Sequence, residues 1–184
     1  MRDKQYDFTQ ILSDFQDAVY NQAYRMLGST EEAEDAAQDI FFRIYDSLDQ
    51  FRGESRISSW IYRITANVCI GRLRKRQRRA SHLGPLTEYK EQMLPEPGSD
   101  QREDPEGEYA AKQVAEFVRS EVGNLPPLWA QAISLHYFGG ETYLDIAEAM
   151  KIPKGTVATY ISRGKKQLAK AIVARFGRDA ICLR

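Results

Sequence analysis

The sequence predicts an all-α protein of two small helical domains joined by a flexible acidic linker. Three observations carry that prediction. Apolar residues recur at the three- and four-residue spacing of amphipathic helices over most of the chain, and no stretch shows the alternation of a strand. Periodicity fails only in one acidic, proline-bearing segment near the middle. At 184 residues and 42% apolar content, the chain can bury one core or two small ones.

Phe8, Ile11, Leu12, Phe15, Val19, Ala23, Met26 and Leu27 form the apolar face of a first helix, which Gly28 closes. Ser29 and Glu32 make a capping box for a second, with Ala33, Ala36, Ala37, Ile40, Phe41, Ile44 and Leu48 continuing its apolar face. The pair is expected as an antiparallel hairpin. Phe51 to Ser55 reads as a loop around Gly53, and a third helix follows to about Arg79. At about 100° per residue, Ile57, Ile61, Ile64 and Val68 fall in one stripe, with Arg56, Trp60, Arg63, Asn67 and Arg74 about a quarter turn away.

Residues 86–110 are expected to be the linker, since 86–109 hold eight acids and two bases among prolines and glycines and cannot bury enough apolar surface to order themselves. The domains are therefore 1–85 and 111–184. In the second, Ala111, Val114, Phe117, Val118 and Val122 begin a helix, Leu125-Pro-Pro starts another, and Gly139-Gly140 ends it. Thr142 and Asp145 form a second capping box, opening a short helix; Lys151 to Lys154 turn into a last helix that buries Val157, Ile161, Leu168 and Ile172. That is a helix-turn-helix pattern.

Overall, 26 basic and 26 acidic residues cancel, but the charge is segregated. Residues 72–79 hold six positive charges, enough for a salt-dependent phosphate contact, although a solvated face is the plainer reading of such a run alone. Phe51, Trp60 and Tyr62 beside guanidiniums suit unstacked bases; the alternative for both Trp60 and Tyr62 is a place in the core. On the last helix, Lys154, Thr156, Ala158, Thr159, Ser162, Arg163 and Lys166 lie away from the apolar stripe, as the base- and phosphate-facing residues of a recognition helix would. An ordinary helical hairpin with a solvated face is the alternative. Gln38, Asp39, Phe42, Arg43 and Asp46 put mixed polar and aromatic groups on a face of the second helix suited to protein docking.

Cys69 and Cys182, His82 and His136 provide neither a disulfide framework nor a zinc spacing, so no metal and no cofactor are expected. The sequence holds no phosphate loop, His-Glu-x-x-His or Gly-x-Ser-x-Gly, which argues against an enzyme. Neither a signal peptide nor a membrane span is legible, and the cytoplasm is the expected location. Cys69 is expected as a buried thiol and Cys182 as a more exposed one.

Tyr20-Asn-Gln-Ala-Tyr-Arg-Met-Leu-Gly, Ala33-Glu-Asp-Ala-Ala-Gln-Asp-Ile-Phe, Phe51-Arg-Gly-Glu-Ser and Trp60-Ile-Tyr-Arg-Ile-Thr-Ala-Asn resemble region two of bacterial RNA polymerase sigma factors of the extracytoplasmic-function group. Leu125-Pro-Pro, Asp145-Ile-Ala-Glu-Ala-Met and Gly155-Thr-Val-Ala-Thr-Tyr-Ile-Ser-Arg-Gly resemble region four. The resemblance implies a factor that binds core RNA polymerase, on the clamp of the largest subunit and the flap of the second, and directs it to promoters. Asp35, Gln38, Asp39, Phe42 and Arg43 would face the clamp. Phe51, Arg52, Gly53, Ser55 and Arg56 would belong to the loop that captures a flipped minus-ten base on the melted non-template strand. Trp60, Arg63, Asn67, Arg72, Arg74 and Arg76 would extend that contact, and Lys154, Thr156, Ala158, Thr159, Ser162, Arg163 and Lys166 would read double-stranded minus-thirty-five DNA. An anti-sigma factor is the implied inhibitor.

Some positions depart from the family pattern. Lys151 stands where a glycine is usual before the apolar turn residue, and Thr156-Val-Ala-Thr-Tyr-Ile replaces a run with two more cations, so the minus-thirty-five preference is not carried over. The competing reading is a free-standing helix-turn-helix regulator that binds duplex DNA without polymerase.

Overall fold

The computed structural model describes residues 6–83 and 105–177. Helix α1 (Phe8–Leu27) begins where Asp7 accepts the Thr9 amide at 3.2 Å and ends at Gly28, whose φ of 81° a side chain would disfavour. Ser29 then accepts the Glu32 amide at 3.3 Å and caps α2 (Thr30–Ser47). Ala33, Ala36, Ile40 and Ile44 line the buried face of α2, so α1 and α2 pack as the expected hairpin and the opposite face of α2 is left to solvent.

A 3-10 turn (Leu48–Gln50) and a loop over 51–56 lead into α3 (Ile57–Leu83), which runs four residues past the expected end. The expected stripe of Ile57, Ile61, Ile64 and Val68 accounts for only part of its burial. Trp60, Thr65, Ala66, Cys69, Ile70 and Leu73 are buried too, because α3 lies between the hairpin on one side and the C-terminal domain on the other. Leu73 is 1% exposed, and truncating such a side chain to alanine costs about 2–5 kcal/mol.

Helix α4 (Pro105–Asn124) packs along α3. It begins inside the stretch expected to be linker; residues 84–104, with most of that stretch, lie outside the described residues. After Pro126, α5 (Pro127–Ile133) opens with a proline at its first position, where no amide partner is needed. It widens into a π turn (Ser134–Phe138) that sequence periodicity did not disclose. Gly139 closes this turn by donating to the Ser134 carbonyl at 3.0 Å, and a Cβ there would sit 2.8 Å from the Leu135 carbonyl oxygen. Only glycine fits.

The turn brings Thr142 to the start of α6 (Tyr143–Met150), where the reciprocal bonds between Thr142 and Asp145 complete the predicted capping box. Helix α7 (Lys154–Phe176) follows, with Val157, Ile161 and Gly164 buried; Leu168 and Ile172 are half-buried. One buried cluster runs through both domains, from Ile11 to Ile161, and no strand occurs among the described residues.

Candidate nucleic-acid interface

The loop before α3 is anchored at one end and open at its tip. Phe51 turns inward, its ring centroid 5.1 Å from that of Trp60 and 5.6 Å from that of Tyr6, while Arg52, Gly53 and Arg56 are exposed and Ser55 is half-buried. Gly53 holds a φ of 72°, which lets the tip turn back within three residues. Trp60 is 8% exposed and belongs to the core, the alternative that the sequence left open for it. A cleft of about 200 Å³ lies between Phe51, Arg52, Trp60 and Arg63 on one side and Glu148, Ala149 and Lys151 on the other.

The C-terminal domain forms the far wall of that cleft. Arg56 donates to Asp145 at 3.2 Å, Arg63 to the Ala149 carbonyl at 2.5 Å, and Gln131 to Asn67 at 2.7 Å. Lys151 pairs with Glu54. The π turn delivers Glu141 to Ser59, which is buried and donates to the carboxylate at 2.6 Å. Burial pushes Glu141 above the usual carboxylate range, opposed by that hydrogen bond, and Asp145 beside it adds a smaller upward push. Asp145 itself is held low by the Thr142 hydroxyl, with Arg56 contributing. Burial also lowers Arg63, although a guanidinium stays charged.

The basic run is not a uniform strip. Arg74 points to the end of α4, donating from Nε to the Gly123 carbonyl and from Nη2 to the Leu125 carbonyl, both at 3.1 Å. Gln77, one turn on, donates to the Ser120 carbonyl. Arg72 pairs with Asp39 of α2, and Arg76 reaches the Leu27 carbonyl at 3.3 Å and Glu32 at 3.7 Å. Lys75, Arg78 and Arg79 are the exposed cations of the run. Three arginines expected on DNA therefore have donors engaged within the protein, two toward the hairpin and one toward the second domain.

On α2, Asp35, Gln38, Asp39, Phe42 and Arg43 all face solvent, as the docking reading requires. Phe42 is 74% exposed and Tyr45, one turn on, 65%. The Phe8 ring braces Tyr45 edge-on at 5.1 Å. On α7, Lys154, Thr159, Ser162, Arg163 and Lys166 are exposed and Thr156 and Ala158 half-buried, so the predicted recognition face is intact and open. Arg163 lies 6.0 Å from the Trp129 ring centroid, at the outer reach of a cation–π contact, and Thr159 turns back to the Gly155 carbonyl at 2.9 Å.

Lys151, the residue preceding the helix-turn-helix turn, adopts φ 54° and ψ 46°, the left-handed conformation expected there of a glycine. Cys69 is fully buried, and burial pushes its thiol up to about 12, which leaves it un-ionised and inert. Cys182 lies outside the described residues.

This layout, with an open α2 face, an open α7 face and an arginine-lined α3 between them, coincides with two family models in the same order: Sigma-70 region 2 over residues 11–79 and Sigma-70, region 4 over residues 118–168. The chain belongs to the sigma-70 family. Among its relatives, the ECF RNA polymerase sigma factor SigW of Bacillus subtilis (strain 168) is 32% identical over 171 residues, covering 90% of this chain and 88% of that protein. The RNA polymerase sigma-H factor of Pseudomonas aeruginosa is 30% identical over 165 residues, covering 90% and 86%. Among solved structures, the sigma factor RpoE in complex with the anti-sigma factor NepR from Bartonella quintana shares the fold at a TM-score of 0.57 and 21% identity, covering 92% of this chain and 98% of that one. CnrH, in complex with the cytosolic domain of CnrY, gives 0.54 at 18% identity, covering 91% and 88%.

The sigma factor therefore serves promoter-specific transcription, and a free-standing regulator is not favoured. Sequence reasoning did not find Ser59, Gln77, Gln131 and Glu141, which join the two domains. A single chain carries no signal for these pairings, because partners such as Ser59 and Glu141 lie 82 positions apart. No described helix of the sigma factor is long and apolar enough to cross a membrane.

Proposed function

We propose that the exposed face of α2, with Asp35, Gln38, Asp39, Phe42 and Arg43, docks the sigma factor on the clamp of the largest polymerase subunit, while the C-terminal domain meets the flap of the second. The 51–56 loop and the Arg63 and Asn67 positions of α3 then hold the melted non-template strand of the minus-ten element. Helix α7 reads the minus-thirty-five duplex through Lys154, Thr156, Ala158, Thr159, Ser162, Arg163 and Lys166. The observation that carries this reading is the open α2 face, 74% exposed at Phe42, on the same chain as an open recognition helix. A regulator acting alone has no use for the first.

The factor performs no chemistry of its own in this reading. Melting is driven by capture: each base leaving the stack costs a few kcal/mol, which a fitted site and phosphate contacts must offset. It works with polymerase in the cytoplasm and is restrained by an anti-sigma factor, a partner supported by the complex of the sigma factor RpoE, which shares its fold, with the anti-sigma factor NepR. Arg72, Arg74 and Arg76 have donors engaged internally, so DNA contact by the basic run falls first to the exposed Lys75 and Arg79.

The test is transcription by core polymerase with and without this protein on a pool of genomic promoter fragments, with the transcript starts sequenced. Starts that depend on the protein and share two upstream elements are the expected result. No new starts, together with tight duplex binding by the protein alone, would transfer the assignment to a free-standing regulator.

A further inference from the structure

The exposed face of α7 is not evenly charged. At about 100° per residue, Gly155, Thr159, Ser162 and Lys166 fall along a line opposite the buried Val157, Ile161 and Gly164. The first three of that line carry no charge, while the exposed cations Lys154, Lys165 and Arg163 stand about a quarter turn to either side of it. From residue 155 to residue 162, at about 1.5 Å per residue, the uncharged line runs about 10 Å, the height of about three base-pair steps. Flanking cations suit the phosphate walls of a major groove, and short neutral groups between them suit its floor. Gly155 brings no side chain, and a Cβ placed there would meet nothing within 4 Å, so the backbone itself can come close to a base edge.

Thr159 is the residue of this line whose hydrogen-bonding capacity is already committed. Its hydroxyl donates to the Gly155 carbonyl at 2.9 Å, so that proton is not available to a purine N7 or O6, and the group left for the groove is the γ-methyl. Gly155, Thr159 and Ser162 include neither a guanidinium nor a carboxamide, the groups that read guanine and adenine bidentately. We propose that Thr159 is a specificity-determining residue of α7, which reads a thymine of the minus-thirty-five duplex by packing its γ-methyl on the C5-methyl of the base. The inference deepens the minus-thirty-five role given to α7 above and rests on it. A methyl contact separates thymine from cytosine, whose C5 bears only hydrogen, without any hydrogen bond from the protein. Lys154 and Lys165 on one wall and Arg163 on the other set the register of the helix without adding base preference.

The test uses the holoenzyme, core polymerase with the full chain, on a duplex promoter fragment taken from a transcript start that depends on this protein. Each thymine of the upstream element, on either strand, is replaced in turn by uracil, which deletes the C5-methyl and leaves every hydrogen-bonding group of the base in place. Affinity is read by fluorescence anisotropy. The expected result is a position at which uracil weakens binding about 4-fold, the worth of one buried methyl group. Thr159→Val keeps a methyl and drops the hydroxyl, and should show the same loss at the same position. Thr159→Ser keeps the hydroxyl and drops the methyl, and should bind the thymine and uracil fragments equally. The site is exposed, so neither variant threatens the fold.

Equal binding of every uracil fragment by the parent, an upstream element without thymine, or a uracil effect that persists in Thr159→Ser overturns the methyl contact. The underlying assignment is judged separately, by Arg163→Ala with Lys166→Ala on the unmodified fragment. Weaker binding with a flatter salt dependence keeps α7 on the duplex even if the methyl contact fails, and affinity at the parent level removes both.

Discussion

Replacing Arg74 by alanine separates two roles that the sequence alone could not. A DNA-facing arginine and a domain-joining arginine look the same in a basic run, but the structure directs this guanidinium to two carbonyls at the end of α4, each at 3.1 Å. Charge-assisted hydrogen bonds of this kind contribute about 1.5–3 kcal/mol apiece. The site is only half-buried and water can re-solvate the carbonyls, so the pair together is placed at about 2–3 kcal/mol. For a chain of this size, each kcal/mol moves the midpoint by about 2–4 °C, which puts Arg74→Ala about 4–12 °C below the parent. Arg74→Lys should recover less than half of the loss, because a single ammonium cannot span both carbonyls with a planar fork. The assay is thermal denaturation beside a salt titration of promoter binding by the holoenzyme. Removing one phosphate contact flattens the slope of log K against log salt by about 0.7–0.9. A midpoint within about 1 °C of the parent, coupled with a slope reduced by that amount, would refute the structural role and return Arg74 to the DNA.

Trp60→Ala removes a ring that is 8% exposed and packs on Phe51, so it should cost about 3–5 kcal/mol of stability, measured by denaturant unfolding; any transcription defect must be read against that loss. Arg163→Ala with Lys166→Ala should lower the salt slope of duplex binding by about 2 while a polymerase pull-down stays at the parent level; failed docking would make this face a protein interface. Glu141→Gln should abolish a pH dependence. Burial raises the Glu141 carboxyl, so the folded state binds its proton more readily than the unfolded one. Stability from this group is therefore full below the ordinary carboxylate range and declines as pH rises through the raised value. The depressed Asp145 works oppositely and loses its contribution only as pH falls through its lowered value. Scanned by melting midpoint from about pH 4 to 8, the variant should gain on the parent as pH rises, and a constant gap would remove Glu141 as the source.

Helix positions, caps and turn chemistry were legible because they are local. Gly28, Ser29 and the Thr142–Asp145 box act within a few residues, and each stands where the sequence put it. At Lys151 the sequence marks only a place where a glycine is usual, and the structure adds the left-handed backbone and the Glu54 contact. The exposed face of α2 was legible for a similar reason: Ala33, Ala36, Ile40 and Ile44 must turn inward, which forces Asp35, Phe42 and Arg43 outward.

What was not legible is non-local. Helix α3 reads as one apolar stripe with a polar neighbour, but its polar side meets a second domain from beyond residue 104, so Arg63, Asn67 and Arg74 bond to protein. The π turn escaped because a single widened turn scarcely disturbs a helical period; its trace in the sequence is Gly139, whose close approach to Leu135 tolerates no Cβ.

The buried cluster that runs without a break from Ile11 to Ile161 has a calorimetric consequence. Two family modules that share a core melt together, in one endotherm. A partner that parts them exposes apolar surface even as it buries some of its own, and hydration of that surface raises the heat capacity. Association of the factor with such a partner must then show a smaller negative heat-capacity change than the final interface would produce, and the shortfall measures the shared core.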